Sequence, residues 1–146
     1  MSAFHVGQEL IALCSDNETG WRYVDKWFPC IVLEIEEGRY YVHLTNWDRQ
    51  DEGSYDWFPE DHLRDVKAYN KGHDLAVGDL VIALVPGDHE IDCLEWVWAT
   101  ATVAKKAQYA PRPLKEWVVK YQIYDRESHD YPTRRRRVRY KEIMKL

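Results

Sequence analysis

Aromatic residues stand at several predicted strand ends in the first half of the chain, each close to acidic residues. The aromatic residues are Trp27, Phe28, Trp47, Tyr55 and Trp57, and the acidic ones are Asp48, Asp51, Glu52 and Asp56. The face of an aromatic ring attracts an organic cation, and each ring contributes about 0.5 to 2 kcal/mol to the binding of a desolvated ammonium. If the strands close into a barrel, these ends meet at one rim. The spacing therefore predicts a pocket for a positively charged group.

Trp47 is the first candidate for contact with such a cation. It follows Thr45 and Asn46 and precedes a charged loop, a polar setting in which a tryptophan is expected to be half exposed. Phe28 is the second candidate. Other aromatic residues are expected in the core, because rings supply most of the apolar area that a small barrel can bury. Those expected in the core are Trp27, Tyr41 and Trp57.

A basic run in the second half of the chain offers a different chemistry. It comprises Arg134, Arg135, Arg136, Arg137 and Arg139, followed by Lys141. Such side chains neutralise phosphates, and the resulting affinity for nucleic acid falls steeply with salt. Because side chains alternate along a strand, only half of them would share one face. In the alternative interpretation the run is an edge strand whose charge prevents pairing with other chains.

Residue patterns typical of enzymes do not occur in the sequence. There is no Gly-rich phosphate loop, no HExxH and no nucleophile elbow. The cysteines, Cys14, Cys30 and Cys93, have no CxxC spacing and are expected to be reduced thiols. The six histidines show no metal-ligand spacing. We therefore expect no enzymatic activity, no metal and no cofactor.

The elements that must position these residues occur twice in the chain. The matching landmarks are residues 6–13 and 77–84, Trp27 and Trp98, and residues 42–49 and 119–126. The shift is 71 positions for the first two pairs and 77 for the third. Three landmarks in the same order indicate two copies of one module. The predicted modules are residues 1–68 and 75–146, joined by a short polar connection.

Both modules are predicted to be all-β, because short apolar runs are separated by turns and no helical period extends over about eleven residues. The predicted strands are 9–14, 28–36, 39–44 and 55–58 in the first module, and 80–85, 97–104, 117–124 and 137–143 in the second. Residues 59–63 are predicted to form a single helical or 3₁₀ turn. The expected fold is two small antiparallel five-stranded barrels in tandem, since closure removes exposed strand edges.

Charge is distributed unevenly between the modules. Residues 1–66 carry fourteen acidic and five basic residues, a net charge of −9, whereas residues 67–146 carry eleven acidic and fifteen basic residues, a net charge of +4. An acidic module joined to a mildly basic one indicates a partner, or partners, of mixed charge. In the alternative interpretation the two charges belong to unrelated solvated surfaces. No run of about 18 apolar residues occurs, so we expect no membrane-spanning segment.

Several segments resemble a known family of β-barrel modules. Residues 42–47, VHLTNW, followed by residues 56–63, DWFPEDHL, are similar to the chromo-barrel and Tudor-knot pattern. Residues 81–86, VIALVP, and 98–103, WATATV, are similar to the Tudor modules of tandem-Tudor histone readers of the Royal family. The resemblance spans nearly the whole chain and implies a Tudor-like barrel in each module.

This resemblance implies an aromatic cage that binds methylated lysine, or less readily methylated arginine, on a histone tail. The implied cage in the first module consists of Phe28 and Trp47, with Tyr23 or Tyr55 completing it and Asp48 or Asp56 attracting the cation. The position of a further family ring is occupied by Leu44. The implied second cage consists of Trp98, Tyr121 and Tyr124, with Ala99 at the position that matches Phe28.

The function implied by the resemblance is that of a non-enzymatic chromatin reader, located in the nucleus within a larger chromatin complex or protein. Two alternatives stay open on the residues alone. In one, the chain binds DNA or RNA through the arginine run. In the other, it is a protein-interaction scaffold whose aromatic residues are all core.

Overall fold

The computed structural model describes the chain in eight parts. They are residues 3–14, 26–47, 52–68, 75–88, 93–106, 116–123, 125 and 127–146. The strands of the first half are β1 (Glu9–Cys14), β2 (Lys26–Glu36), β3 (Arg39–Leu44), β4 (Tyr55–Pro59) and β5 (Leu63–Arg64). Those of the second half are β6 (Leu80–Pro86), β7 (Trp96–Lys106), β8 (Glu116–Gln122), β9 (Thr133–Arg139) and β10 (Ile143–Lys145). The 3₁₀ turns are Glu52–Ser54, Glu60–His62, Val66–Ala68 and Tyr140–Glu142.

Antiparallel pairing arranges the two halves alike. The strand order is β4-β3-β2-β1-β5 in the first and β9-β8-β7-β6-β10 in the second. The turns Glu60–His62 and Tyr140–Glu142 carry the chain from the fourth strand of each half to its fifth. The short β5 and β10 then pair with β1 and β6. The expected all-β fold of two tandem five-stranded barrels is confirmed, as is the 3₁₀ turn within residues 59–63.

The repeat seen in the sequence recurs in the backbone hydrogen bonds. The Gly7 N–H donates to the Val32 carbonyl at 2.8 Å, and the Gly78 N–H donates to the Val103 carbonyl at the same distance. Both glycines have positive φ, 87° and 95°, a conformation that favours glycine over any residue with a Cβ. The register irregularity of β2 follows Val32, and that of β7 follows Val103. The two glycines, like the two valines, are 71 positions apart, which is the shift of the sequence repeat.

The two barrels are joined along one seam. Where β2 meets β7, Trp27 pairs with Trp98. An apolar cluster fills the seam, and its buried members are Ile11, Trp27, Ile82 and Met144. The indole N–H of Trp27 donates to Thr100 Oγ1 at 3.2 Å, and the guanidinium of Arg64 lies 5.4 Å from the Trp27 ring. Burial of these outward-facing side chains packs the barrels against each other.

Several expectations about single elements were wrong. The last long strand of the second barrel spans Thr133–Arg139 rather than 137–143, and a 3₁₀ turn follows it. The strands β5 and β10 were missed, because two or three residues are too few to show a period. Tyr41 and Trp57 are half-buried on the outer surface rather than in the core. Trp27 is buried, at 1% exposure, but in the seam between the barrels.

In the part of the chain that the structure describes, no helix has the length and hydropathy needed to cross a membrane.

Candidate functional site

The turn after β3 brings two predicted cage rings together. Thr45 anchors this turn to β2, because its N–H donates to the Pro29 carbonyl at 2.9 Å. The Trp47 N–H donates to the Leu44 carbonyl at 3.4 Å, which folds the chain back over the end of the barrel. The rings of Phe28 and Trp47 then lie 4.8 Å apart between centroids, with their planes inclined at 54°. A tilted contact of this kind is favourable between aromatic rings and holds their orientation.

The two rings differ in their access to solvent. Phe28 alternates with the seam residue Trp27 along β2, so it faces the barrel interior, and it is only 5% exposed. Trp47 is half-buried and packs against the edge of the core. Trp47 is therefore the ring that a guest can reach, and Phe28 supports it from the core side.

A carboxylate lies at the same end of the first barrel. Asp56 is exposed on β4, and its Oδ1 accepts a hydrogen bond from the Trp57 N–H at 2.7 Å. Burial, together with the nearby Cys30 and Asp56, raises the pKa of the Cys14 thiol to about 12. Cys14 is two residues from Ala12, the β1 partner of Phe28. Asp56 is therefore close to the barrel end that holds Phe28 and Trp47, whereas Tyr23 and Asp48 fall outside the described residues.

Tyr55 points away from these two rings. It belongs to a group on the outer surface of the β3–β4 hairpin, here called the aromatic face, formed by Tyr41, His43, Tyr55 and Trp57. Tyr55 stacks on His43 at 4.6 Å and on Tyr41 at 6.2 Å, and Tyr41 contacts Trp57 at 5.1 Å. Because Tyr55 and Asp56 are adjacent in a strand, their side chains leave opposite sides of the sheet. The structure does not bring Tyr55 to Phe28 and Trp47.

The second barrel has an acidic pocket at the matching end. Its volume is about 430 Å³, and it is lined by Pro86, Gly87, Asp88, Tyr121, Ile123, Asp125, Glu127 and Arg134. Tyr121 is 7% exposed, and burial raises its pKa while Arg134 and Arg136 lower it. Arg134 pairs with Asp125 at 3.6 Å. Three carboxylates around one ring, one of them paired with Arg134, leave a net negative charge that suits a cation able to donate hydrogen bonds.

The three residues of the predicted second cage do not meet in this pocket. Tyr121 faces the interior of the second barrel with Trp117 and Val119. Trp98 lies on the opposite side of β7, in the seam with Trp27. Tyr124 falls outside the described residues. The structure therefore separates Trp98 from Tyr121.

The arginine run divides between the two sides of β9. Val138 is fully buried, so the even-numbered Arg134 and Arg136 point toward the body of the protein. Arg136 donates to the Leu84 carbonyl, pairs with Glu142 at 3.1 Å and lies 4.5 Å from the Trp96 ring. The other three, Arg135, Arg137 and Arg139, are exposed on the outer surface. Those three share the outer side of the strand, whereas Arg134, which is also exposed, lies on the other side.

The resemblance also implies a possible site in the groove between paired barrels, although no residues were predicted for it. The groove has a volume of about 370 Å³, and its aromatic lining residues are Trp27, Trp96 and Trp98. Trp96 is 46% exposed, whereas Trp27 is buried. These tryptophans meet because β2 pairs with β7, and no local sequence pattern reports a pairing between strands about 70 residues apart.

Among the described residues, no group of three or more His, Cys, Asp or Glu side chains is arranged to hold a metal ion.

Comparison with known proteins identifies the fold. No protein-family model matches the chain, and no curated protein matches it. The chain is similar to the crystal structure of Arabidopsis thaliana AGDP1 AGD34, with a TM-score of 0.51 and 18% identity, covering 98% of this chain and 82% of that one. It is also similar to the crystal structure of ADCP1 tandem Agenet domain 3-4, with a TM-score of 0.45 and 18% identity, covering 98% and 80%. At this identity the first comparison shows a shared fold, a tandem of small antiparallel β-barrels.

Proposed function

We propose that this chain is a non-enzymatic chromatin reader that acts in the nucleus and binds methylated lysine on a histone tail. The observation that carries the proposal is the tilted contact between Phe28 and Trp47 at 4.8 Å, with Trp47 reaching solvent. A methylated ammonium is large, weakly hydrated and short of hydrogen-bond donors, so a ring face suits it better than a set of carboxylates alone.

In this proposal the two rings have different roles. The ammonium lies against the open side of Trp47, and Phe28 fixes the orientation of the indole from the core side. A preformed orientation matters because ordering a ring upon binding would cost about 0.5 to 1.5 kcal/mol. Asp56, at the same barrel end, adds a negative charge that favours the cation over a neutral side chain.

The charge of the first barrel supports a histone tail as the source of that lysine. Residues 1–66 carry a net charge of −9, and histone tails are rich in Lys and Arg. Opposite charges raise the association rate of such a pair, and this effect weakens with salt. One ring, a carboxylate and contacts along the peptide are consistent with micromolar affinity, about −8 kcal/mol.

The proposal is tested by titrating a panel of unmodified and methylated histone-tail peptides against the wild-type chain and Trp47→Ala. Loss of the open ring should weaken methyl-peptide binding roughly 30-fold, equivalent to about 2 kcal/mol. The matched control is Trp57→Ala, which removes a half-buried tryptophan from the aromatic face and should change the affinity less than about twofold. Equal affinity of the wild-type chain for methylated and unmodified peptides would overturn the proposal.

The acidic pocket of the second barrel competes for the same cation. Its described lining contains one ring, three carboxylates and Arg134, so binding there would depend on charge more than on ring faces. Tyr121→Ala distinguishes the two locations, because a guest in the first barrel is insensitive to it. If Tyr121→Ala abolishes binding of the methylated peptide and Trp47→Ala does not, the reader site lies in the second barrel.

A further inference from the structure

The outer surface of the second barrel carries a concentrated positive charge. Five basic side chains share it, here called the basic face: Lys105, Lys120, Arg135, Arg137 and Arg139. Lys120 pairs with Arg135, and Lys105 pairs with Val118, which in turn pairs with Arg137. Residues paired across antiparallel strands project from the same side of the sheet. Trp117 and Val119 are buried in the core, so Lys105, Val118 and Lys120 must face outward.

The basic side chains on β9 form an evenly spaced row. Arg135, Arg137 and Arg139 alternate with the inward-facing Arg136 and Val138. Successive side chains on one side of a strand are about 6.8 Å apart. Arg137 and Arg139 are 68% and 66% exposed, and Lys105, Lys120 and Arg135 are exposed too. A row of exposed cations at this spacing can contact successive phosphates of a nucleic acid strand.

Among the residues that the structure describes, internal pairing does not account for this charge. Lys120 and Arg135 lie directly opposite each other, and like charges at such positions destabilise a sheet. One carboxylate, Glu116, lies beside the row, at 3.8 Å from Arg137 and 3.7 Å from Arg139. The basic face therefore keeps an excess of positive charge, although the whole chain has a net charge of −5. A bound polyanion would relieve the repulsion between these side chains.

We propose that the basic face binds the phosphate backbone of nucleic acid without reading its sequence. The contacts are charge-assisted hydrogen bonds from guanidinium and ammonium groups to phosphate oxygens. Arg134 and Arg136 take no part, because they face the other side of β9 and pair with Asp125 and Glu142. The basic face has five cations, and the neighbouring carboxylate of Glu116 offsets one of them. The face can therefore neutralise about four phosphates.

The experiment measures binding of a short mixed-sequence duplex DNA and of a single-stranded RNA by fluorescence anisotropy at several salt concentrations. With about four phosphates, affinity for the duplex should fall roughly a hundredfold between 50 and 200 mM salt. The double variant Arg135→Gln/Arg137→Gln should bind more weakly and lose only about tenfold over that range. Binding of duplex alone, of single strand alone or of both identifies which nucleic acid supplies the phosphates, and absence of binding to either overturns the proposal.

The matched control is Arg39→Gln/Lys145→Gln, which removes the same charge from positions away from the basic face. It should retain the wild-type salt dependence.

Glu116→Gln should strengthen binding and steepen the salt dependence, because it frees Arg137 and Arg139. Trp47→Ala should leave binding unchanged, so failure here is separate from failure of the reader proposal. If the two double variants weaken binding equally, net charge rather than the basic face is responsible and the proposal is wrong.

Discussion

The outer surfaces of the two barrels differ in chemistry at matching positions of the same hairpin. In the first barrel Tyr41 pairs with Trp57, and in the second barrel Val118 pairs with Arg137. Likewise His43 pairs with Tyr55, whereas Lys120 pairs with Arg135. The backbone pairing is the same, so the fold places no demand on these outward side chains. One copy has become an aromatic face and the other a basic face.

The interiors differ in a compensating way. Phe28 of β2 corresponds to Ala99 of β7, since their partners Ala12 and Ala83 occupy matching positions of β1 and β6. On the following strand, Leu44 corresponds to Tyr121 in the sequence repeat. Each barrel therefore buries one ring at this end, but from a different strand. Interiors tolerate such exchanges when total volume is kept.

The largest expected difference between the copies concerns thiol reactivity. Burial raises the pKa of both Cys14 and Cys30, in the first barrel, to about 12 from 9.0. At pH 8 this lowers their thiolate fraction about a thousandfold, and the thiolate is the reactive form. Cys93 is exposed. Labelling with N-ethylmaleimide at pH 8, followed by mass spectrometry, should modify Cys93 first and the other two only after unfolding.

Because these pKa values are raised in the folded state, the associated stability is complete below about pH 9 and is lost as pH rises toward 12. Reactivity of Cys14 in the folded chain should therefore stay low through pH 8. If Cys14 is labelled as rapidly as Cys93, the interior described for the first barrel is wrong.

A smaller effect tests the exchange of rings between the interiors. Ala99→Phe adds a ring to a filled core and should destabilise the chain by about 1 to 3 kcal/mol. Tyr121→Leu removes a ring and should cost a similar amount. The double variant restores the arrangement of the first barrel. Its loss in free energy of unfolding should therefore be smaller, by at least about 1 kcal/mol, than the sum of the losses in the two single variants. Urea unfolding of the four proteins measures this coupling, and simple additivity would show that the two positions do not compensate.

The sequence predicts the barrels well because the repeat preserves the contacts that define them. Gly7 and Gly78, with their matching hydrogen bonds, are examples. The sequence does not show which side of β3 faces inward, since both Tyr40 and Tyr41 are large and aromatic. Tyr40 is the buried one, and the register irregularity in β2 contributes to that choice. The residue pattern within one strand does not show its register against the neighbouring strand.

The candidate site is predictable to a lesser extent. Phe28 and Trp47 are nineteen positions apart, and their meeting follows from the strand ends of a closed barrel. The position of Tyr55 depends on strand alternation, which a predicted strand of four residues defines poorly. The separation of Trp98 from Tyr121 depends on the pairing of β2 with β7. That pairing comes from packing between the two copies, so neither copy alone reports it.

In the proposed function, Trp47 is the ring that a methylated lysine contacts. The most direct measurement follows the indole N–H resonances of the tryptophans by NMR while a methylated histone peptide is added, with assignments from single Trp→Phe variants. We expect the Trp47 resonance to move as the peptide is added and the resonance of Trp57, on the aromatic face, to stay in place. A Trp47 resonance that stays in place under saturating peptide would contradict this role of Trp47.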